Sequence, residues 1–229
     1  MSETTERLTP EIAGLLGEAA EWRLLGLLFE YPTETWREQV SALAADLKDE
    51  KLKALAAAAL EFATEGLHIA LFGPAGTVPV REVTYQGGVQ FGYLMAELAA
   101  FYDAFGYKPD AAAEADDHLA VEAGFMAYLK FKQAYALADG DSEHAAITAE
   151  AAANFLKDHV AMLAQPVTSR LETFGPDYLV EAGRILSGHA GPPPRNSFPL
   201  GAPLEDLESD EFTCGPSAAA GDDLVQLTP

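Results

Sequence analysis

Residues 114–138 read EADDHLAVEAGFMAYLKFKQAYALA, and this stretch decides the fold. Leu119, Val121, Phe125, Met126, Tyr128, Leu129, Phe131 and Tyr135 place apolar groups on nearly every side of a helix, the pattern of a helix enclosed by others. Asp116 or Asp117 is the expected N-cap, because a short carboxylate can accept from the free N–H groups of the first turn. Gly140 and Asp141 mark the turn that ends the helix.

Working outward, the rest of residues 10–189 is also helical in pattern. Thr9-Pro10 opens a first helix, since proline at the first helical position gives up a hydrogen bond that would be unmade anyway. Its stripe runs through Ile12, Leu15, Leu16, Ala19, Trp22, Leu24, Leu27 and Leu28 and is closed by Pro32. A second helix starts at Thr33-Glu34 with Trp36, Val40, Leu43 and Leu47 on one face, and a third runs from about residue 50 to Gly66. Residues 67–87 hold Gly73, Pro74, Gly76 and Pro79 and are expected to form a long loop, a length that in compact domains is often functional. Helix resumes near Gly88 with Phe91, Leu94, Leu98, Tyr102 and Phe105, and ends at residues 106–109. Downstream, helices are expected over 142–164, stopped by Pro166, and over 176–186. No strand-period run and no internal repeat is visible. The expected class is an all-α single helical-bundle domain, residues 1–190. An acidic Pro-rich tail, residues 191–229, carries seven of the 14 prolines and a net charge of −6 and is expected to lack a core of its own.

Composition narrows the partners. The 229-residue chain has 14 Lys and Arg against 36 Asp and Glu, a formal charge of −22. So acidic a surface repels nucleic acid and anionic membranes and favours positively charged partners. A single cysteine, Cys214, forms no intrachain disulfide. The first ten residues lack the basic-then-apolar order of a secretion signal, and no window has 18 uninterrupted apolar residues, so a cytoplasmic protein without stable membrane association is expected.

Sites for chemistry are sparse. A di-metal carboxylate centre needs Glu-x-x-His on two helices plus two further glutamates. Only Glu65-Gly66-Leu67-His68 has that spacing, and the other histidines, 118, 144, 159 and 189, lie on separate segments. Gly73-Pro74-Ala75-Gly76-Thr77 lacks the spacing and the lysine of a phosphate-binding loop. No metal and no cofactor is therefore expected. Asp117-His118 reads either as a cap followed by a first-turn histidine or as part of a binding site; adjacent residues on a helix do not face each other, which excludes an acid–base dyad by adjacency. Asp158-His159 reads as a solvated face with a histidine packed under a neighbour. Leu71, Phe72, Pro74 and Pro79 offer an apolar wall for an extended peptide, or close the preceding helix as core.

Taken together, three stretches resemble the TorD/DmsD/NarJ-type maturation chaperones of molybdenum enzymes, over roughly residues 20–187. They are Leu71-Phe72-Gly73-Pro74 with Val78-Pro79, then Glu114-Ala115-Asp116-Asp117-His118-Leu119-Ala120-Val121-Glu122, and Phe155-Leu156-Lys157-Asp158-His159. Ala115 replaces the proline usual in the second stretch. The third is similar to chaperones of the type II dimethyl sulfoxide reductase branch. The resemblance implies an all-helical, cytoplasmic, non-enzymatic chaperone; a monomer or a swapped dimer is expected separately, because helical chains with long loops can exchange elements. Such a chaperone would bind the twin-arginine signal peptide (leader) and the cofactor-free catalytic subunit of a molybdenum oxidoreductase. Leader binding would involve Leu71, Phe72, Pro74, Pro79, Asp117 and His118. The rival expectations are a helical-bundle metal-dependent enzyme and an assembly subunit retained in the mature complex.

Overall fold

A computed structural model describes residues 8–86, 91–109 and 114–192. Their order is α1 (Pro10–Leu28), α2 (Glu34–Asp46), α3 (Glu50–Phe62), α4 (Glu65–Phe72), a 3₁₀ turn (Glu82–Thr84), α5 (Phe91–Phe105), α6 (Leu119–Ala138), α7 (Ser142–Phe155), a π turn (Leu156–Val160), α8 (Ala161–Phe174) and α9 (Asp177–Ala190). The all-α class is as read from the sequence. Among the described residues the only β pairing is a single antiparallel bridge between Arg81 and His118. Apart from residues 191 and 192, the expected tail lies outside the described residues.

Short polar side chains start most of these helices. Thr9, Thr33 and Thr64 accept from the N–H three residues on, Asp49 does so from Lys51 and Leu52, and Asp141 from His144. Each side chain supplies an acceptor for a first-turn N–H that has none inside the helix.

α6 is the axis of the core. Its residues 119–127 are all buried, and α1 forms with it the most extensive helix pair in the fold. The start of α1 (Ile12, Leu15) packs on Ala134 near the end of α6, while Gly26 near the end of α1 meets Ala120 and Gly124 near its start, so the two run antiparallel. Close approach is possible because these residues are small: a Cβ on Gly26 would lie 3.1 Å from the Ala120 carbonyl oxygen, and one on Gly124 would lie 2.7 Å from Tyr107 Oη. On the other side of α6, Phe125 stacks edge-on with Tyr102 at 4.9 Å and with Phe155 at 4.7 Å, tying α5 and α7 to it. Arg37 of α2 donates to the carbonyls of Leu60 and Ala63 at the end of α3, at 2.8 and 2.9 Å, which satisfies carbonyls a helix end leaves free.

Four expectations are corrected. First, the long loop begins at Gly73, not at residue 67. Thr64 caps a new helix that carries Leu67 to Phe72 and leaves α3 at a 104° bend, and Gly66, with open space where a Cβ would go, does not stop it. Second, Pro166 does not end a helix but lies inside α8. Buried Leu163, Ala164, Val167 and Leu171 hold the helix against its neighbours despite the missing hydrogen bond, and the actual irregularity is the π turn upstream. Third, α6 starts at Leu119 with His118 as its cap; neither Asp116 nor Asp117 serves. Fourth, α9 continues beyond residue 186 to Ala190.

Candidate functional site

The segment between α4 and the 3₁₀ turn folds back on itself. The N–H groups of Thr77 and Val78 bond the carbonyls of Ala70 and Leu71, at 3.2 and 2.8 Å, and so satisfy the end of α4. Residues 80–82 then pair with the entry to α6: Glu82 N–H donates to the Asp117 carbonyl at 2.8 Å, and Leu119 N–H to the Val80 carbonyl at 2.9 Å. Residues 80–86 thus form a strap across the start of α6. Tyr85 Oη donates to the Pro79 carbonyl at 2.5 Å, and Arg170 of α8 to the Thr77 carbonyl at 2.9 Å.

Both motif residues of the α6 entry lie beneath this strap. Asp117 has 0% side-chain exposure, and its Oδ1 accepts from Arg81 Nε at 2.8 Å and Nη2 at 2.5 Å, while Oδ2 accepts from the Val83 N–H at 3.3 Å. His118 is buried too. Its Nδ1 accepts from the Ala120 N–H at 3.2 Å, and its Nε2 stands 3.6 Å from Glu114 Oε2. Burial, followed by the charges of His68 and Arg81, depresses its pKa to about 3, so the ring is neutral near pH 7 with its hydrogen on Nε2.

The apolar candidates divide in the same way. Leu71 is buried, Phe72 and Pro79 are half-buried and Pro74 is exposed. Phe72 packs on Phe29 at 5.6 Å and on His68 at 5.1 Å. Burial lowers the His68 pKa to about 4. Leu71, Phe72 and His68 close a cleft of only about 10 Å³, with Glu30 at its edge.

Glu30 also lines a groove of about 800 Å³ between α1, α2, α6 and residues 107–109. Its walls are Leu16, Ala19, Ala20 and Leu43 on one side and Ala120, Val121, Ala127 and Phe131 on the other. At one end Glu30 and Glu114 keep 28% and 22% of their side chains exposed. Arg23 donates to Glu30 at 2.7 Å and to Gln39 at 2.6 Å. Burial, then the neighbouring charge of Glu30, pushes the Glu114 carboxyl above the usual carboxylate range, and Arg81 opposes this. An apolar trough with two carboxylates at one end can take an extended or helical peptide carrying a cation.

Sequence reasoning missed Arg81, Glu82, Glu30 and Glu122. The only signal for Glu122 is that it is a carboxylate on a helix whose every face reads as buried; the pairing of Arg81 with Asp117 spans 36 residues and leaves no local trace. Among the described residues no group of three or more His, Cys, Asp or Glu side chains is arranged to hold a metal ion.

A family model described as the nitrate reductase delta subunit matches residues 30–168. The chain belongs to the nitrate reductase delta subunit family. It is a molybdoenzyme maturation chaperone of the TorD/NarJ type, and the family comprises assembly factors rather than enzymes. No curated protein and no solved structure matches the chain. The matched stretch contains Glu30, the strap, the α6 entry and the π turn, while all of α1 and all of α9 fall outside it. No single helix of this nitrate reductase delta subunit homologue, among the described residues, is long and apolar enough to cross a membrane.

Proposed function

We propose that the protein acts in the cytoplasm. There it binds the twin-arginine leader of a nitrate-reductase-type molybdenum catalytic subunit and holds that subunit, free of cofactor, until the molybdenum cofactor is inserted. The observation that carries this is the groove: an apolar floor between α1 and α6 matches the apolar half of a leader, and Glu30 and Glu114 match its arginines. The net charge of −22 adds long-range attraction that speeds encounter. Burial and the charge of Glu30 raise the proton affinity of Glu114, and a cation placed beside it relieves that strain. Phe72, Pro74 and Pro79 reach solvent and extend the apolar wall beyond Glu30. Leu71, Asp117 and His118 support it from beneath, and a leader arginine reaches Asp117 only by displacing Arg81. The third resembling stretch, residues 155–159, favours a client of the type II dimethyl sulfoxide reductase branch.

The test is calorimetric titration with a twin-arginine leader peptide from a molybdoenzyme encoded beside this protein, with Arg-Arg→Lys-Lys and a leader lacking its apolar stretch as controls. Micromolar or tighter binding that both controls weaken is expected. Glu114→Gln should weaken it by about 5- to 30-fold, the loss of one charge-assisted contact. Binding to the cofactor-free subunit but not to the leader would move recognition to the folded client, and binding to neither overturns the reading.

A further inference from the structure

Glu82 and Glu122 have no solvent-exposed surface. Glu82, on the 3₁₀ turn of the strap, accepts from Gln86 Nε2 and from His159 Nδ1, the latter at 3.1 and 3.3 Å to its two oxygens. His159 is delivered by the π turn, whose widened geometry sets its ring against Phe155 at 4.8 Å and Phe101 at 5.5 Å. Glu122, on the first turn of α6, is different: both carboxyl oxygens are buried and neither meets a donor among the described residues. An ionised carboxylate in that position meets no donor and no counterion among the described residues. Ionised together, Glu82 and Glu122 present acceptors only; one added proton supplies the missing donor.

We propose that this pair is a one-proton latch: a single proton shared by Glu122 and Glu82 holds residues 80–86 against the start of α6, and its loss releases the strap and uncovers Asp117 and His118. The groups around Glu122 agree. Glu82 is held at this end of α6 by the bonds from its N–H to Asp117 and from the Leu119 N–H to Val80, and Asp117 lies at the α6 entry with its charge met by Arg81; both raise the proton affinity of Glu122. Tyr102 faces it from α5, its phenol pushed up by burial and then by the Glu122 charge. His159 serves Glu82 rather than Glu122. α1 meets this turn of α6 through Gly26, which adds no charge. Burial first, then the Glu82 charge and hydrogen bond, and lastly Asp117, raise the proton affinity of Glu122 well above that of a free glutamate. Because the latched state binds the proton more tightly than the open one, the latch is strongest below the ordinary glutamate range and is lost as pH rises through the raised value.

Amide hydrogen exchange on the full-length protein reads the strap directly, at the Glu82 and Leu119 N–H groups that form the bridge. Their protection should fall as pH rises above the ordinary glutamate range, by up to about tenfold per pH unit while the open form has lost the proton and the latched form keeps it, and the amides of α9 should keep theirs. In Glu122→Gln the amide is a permanent donor to Glu82, so bridge protection should be independent of pH and should exceed wild type at the alkaline end. A wild-type slope retained in Glu122→Gln overturns the proposal, as does a parallel loss of protection in α9, which marks global unfolding. If the variant does not fold, carboxyl-carbon NMR of the wild type decides. A glutamate titrating above the ordinary range in step with bridge protection supports the latch, and every glutamate titrating within that range overturns it.

Discussion

The ion pair between Arg81 and Asp117 should respond very differently to the loss of each partner. Asp117 has 0% of its side chain exposed, whereas Arg81 keeps 40%. In Arg81→Met the hydrophobic stem survives but a buried carboxylate is left with one long bond from Val83 N–H, at 3.3 Å. Stranding a buried charge costs about 3–5 kcal/mol, and the lower end applies because water can approach along the vacated guanidinium. In Asp117→Asn the Val83 bond has an acceptor, nothing buried stays charged and Arg81 rehydrates, so about 1–2 kcal/mol is expected, with screening already reducing the worth of the half-exposed partner. Urea unfolding followed by the fluorescence of buried Trp22 and Trp36 measures both. With a slope of about 2.5 kcal/mol per molar, the midpoint should drop by about 1.2 M in Arg81→Met and about 0.6 M in Asp117→Asn. The double variant should lose less than the sum, since a neutral amide in place of the Asp117 carboxylate no longer needs the arginine. Equal losses, or additive ones, would refute the reasoning.

Three further outcomes are expected. His118→Asn keeps a capping side chain, so stability near neutrality should change by under about 0.5 kcal/mol. The wild-type ring has its pKa lowered from 6.5 to about 3, so the unfolded chain binds the extra proton and the wild type loses stability as pH falls through that window. The slope is up to about 1.4 kcal/mol per pH unit, and urea midpoints between pH 4 and 7 should show a shallower one in the variant. Gly76→Ala drives a methyl group into the Leu71 carbonyl and should cost about 1–3 kcal/mol in urea unfolding. Gly66→Ala, with open space around it and helical backbone, should instead stabilise by about 0.5–1 kcal/mol in the same titrations.

What could be read from the sequence was what is local. Thr9-Pro10, Thr33 and the apolar pattern of α6 are each decided within one or two turns; the structure agrees with both starts and buries residues 119–127, while Phe131 and Tyr135 of the expected enclosed helix are exposed. Gly66 misled because glycine is a good stop only where backbone or packing demands it, and here the bend comes from the Ala63-Thr64 step, where Thr64 starts a second helix. Pro166 misled because the packing of α8 outweighs one absent hydrogen bond. At the candidate site, spacing alone leaves Asp117-His118 open between cap and binding role, only the family resemblance favours the latter, and His159 reads as a histidine packed under a neighbour. Their roles rest on Arg81 and Glu82, 36 and 77 residues distant in sequence from Asp117 and His159. No periodicity encodes such pairings, so the strap and its buried carboxylates became visible only in three dimensions.

The π turn between α7 and α8 has a consequence for how this chain can change. A π turn holds one residue more than the α-helical turn it replaces, and each residue turns a helix by about 100°. The wider turn absorbs that residue, so α7 and α8 keep the phase of one continuous helix while the turn itself aims His159 by its count of residues. Lys157 and Asp158 face solvent and their identities are nearly free, yet removing either one would restore an unbroken helix. The flanking helices would keep their phase, so Leu163 and Val167 would stay in the core, but His159, inside the turn, would lose its place against Glu82. Between Phe155 and Ala161 the sequence can drift in composition while its length stays fixed; the exposed turn around Pro74 and Ala75 is where residues can be gained or lost.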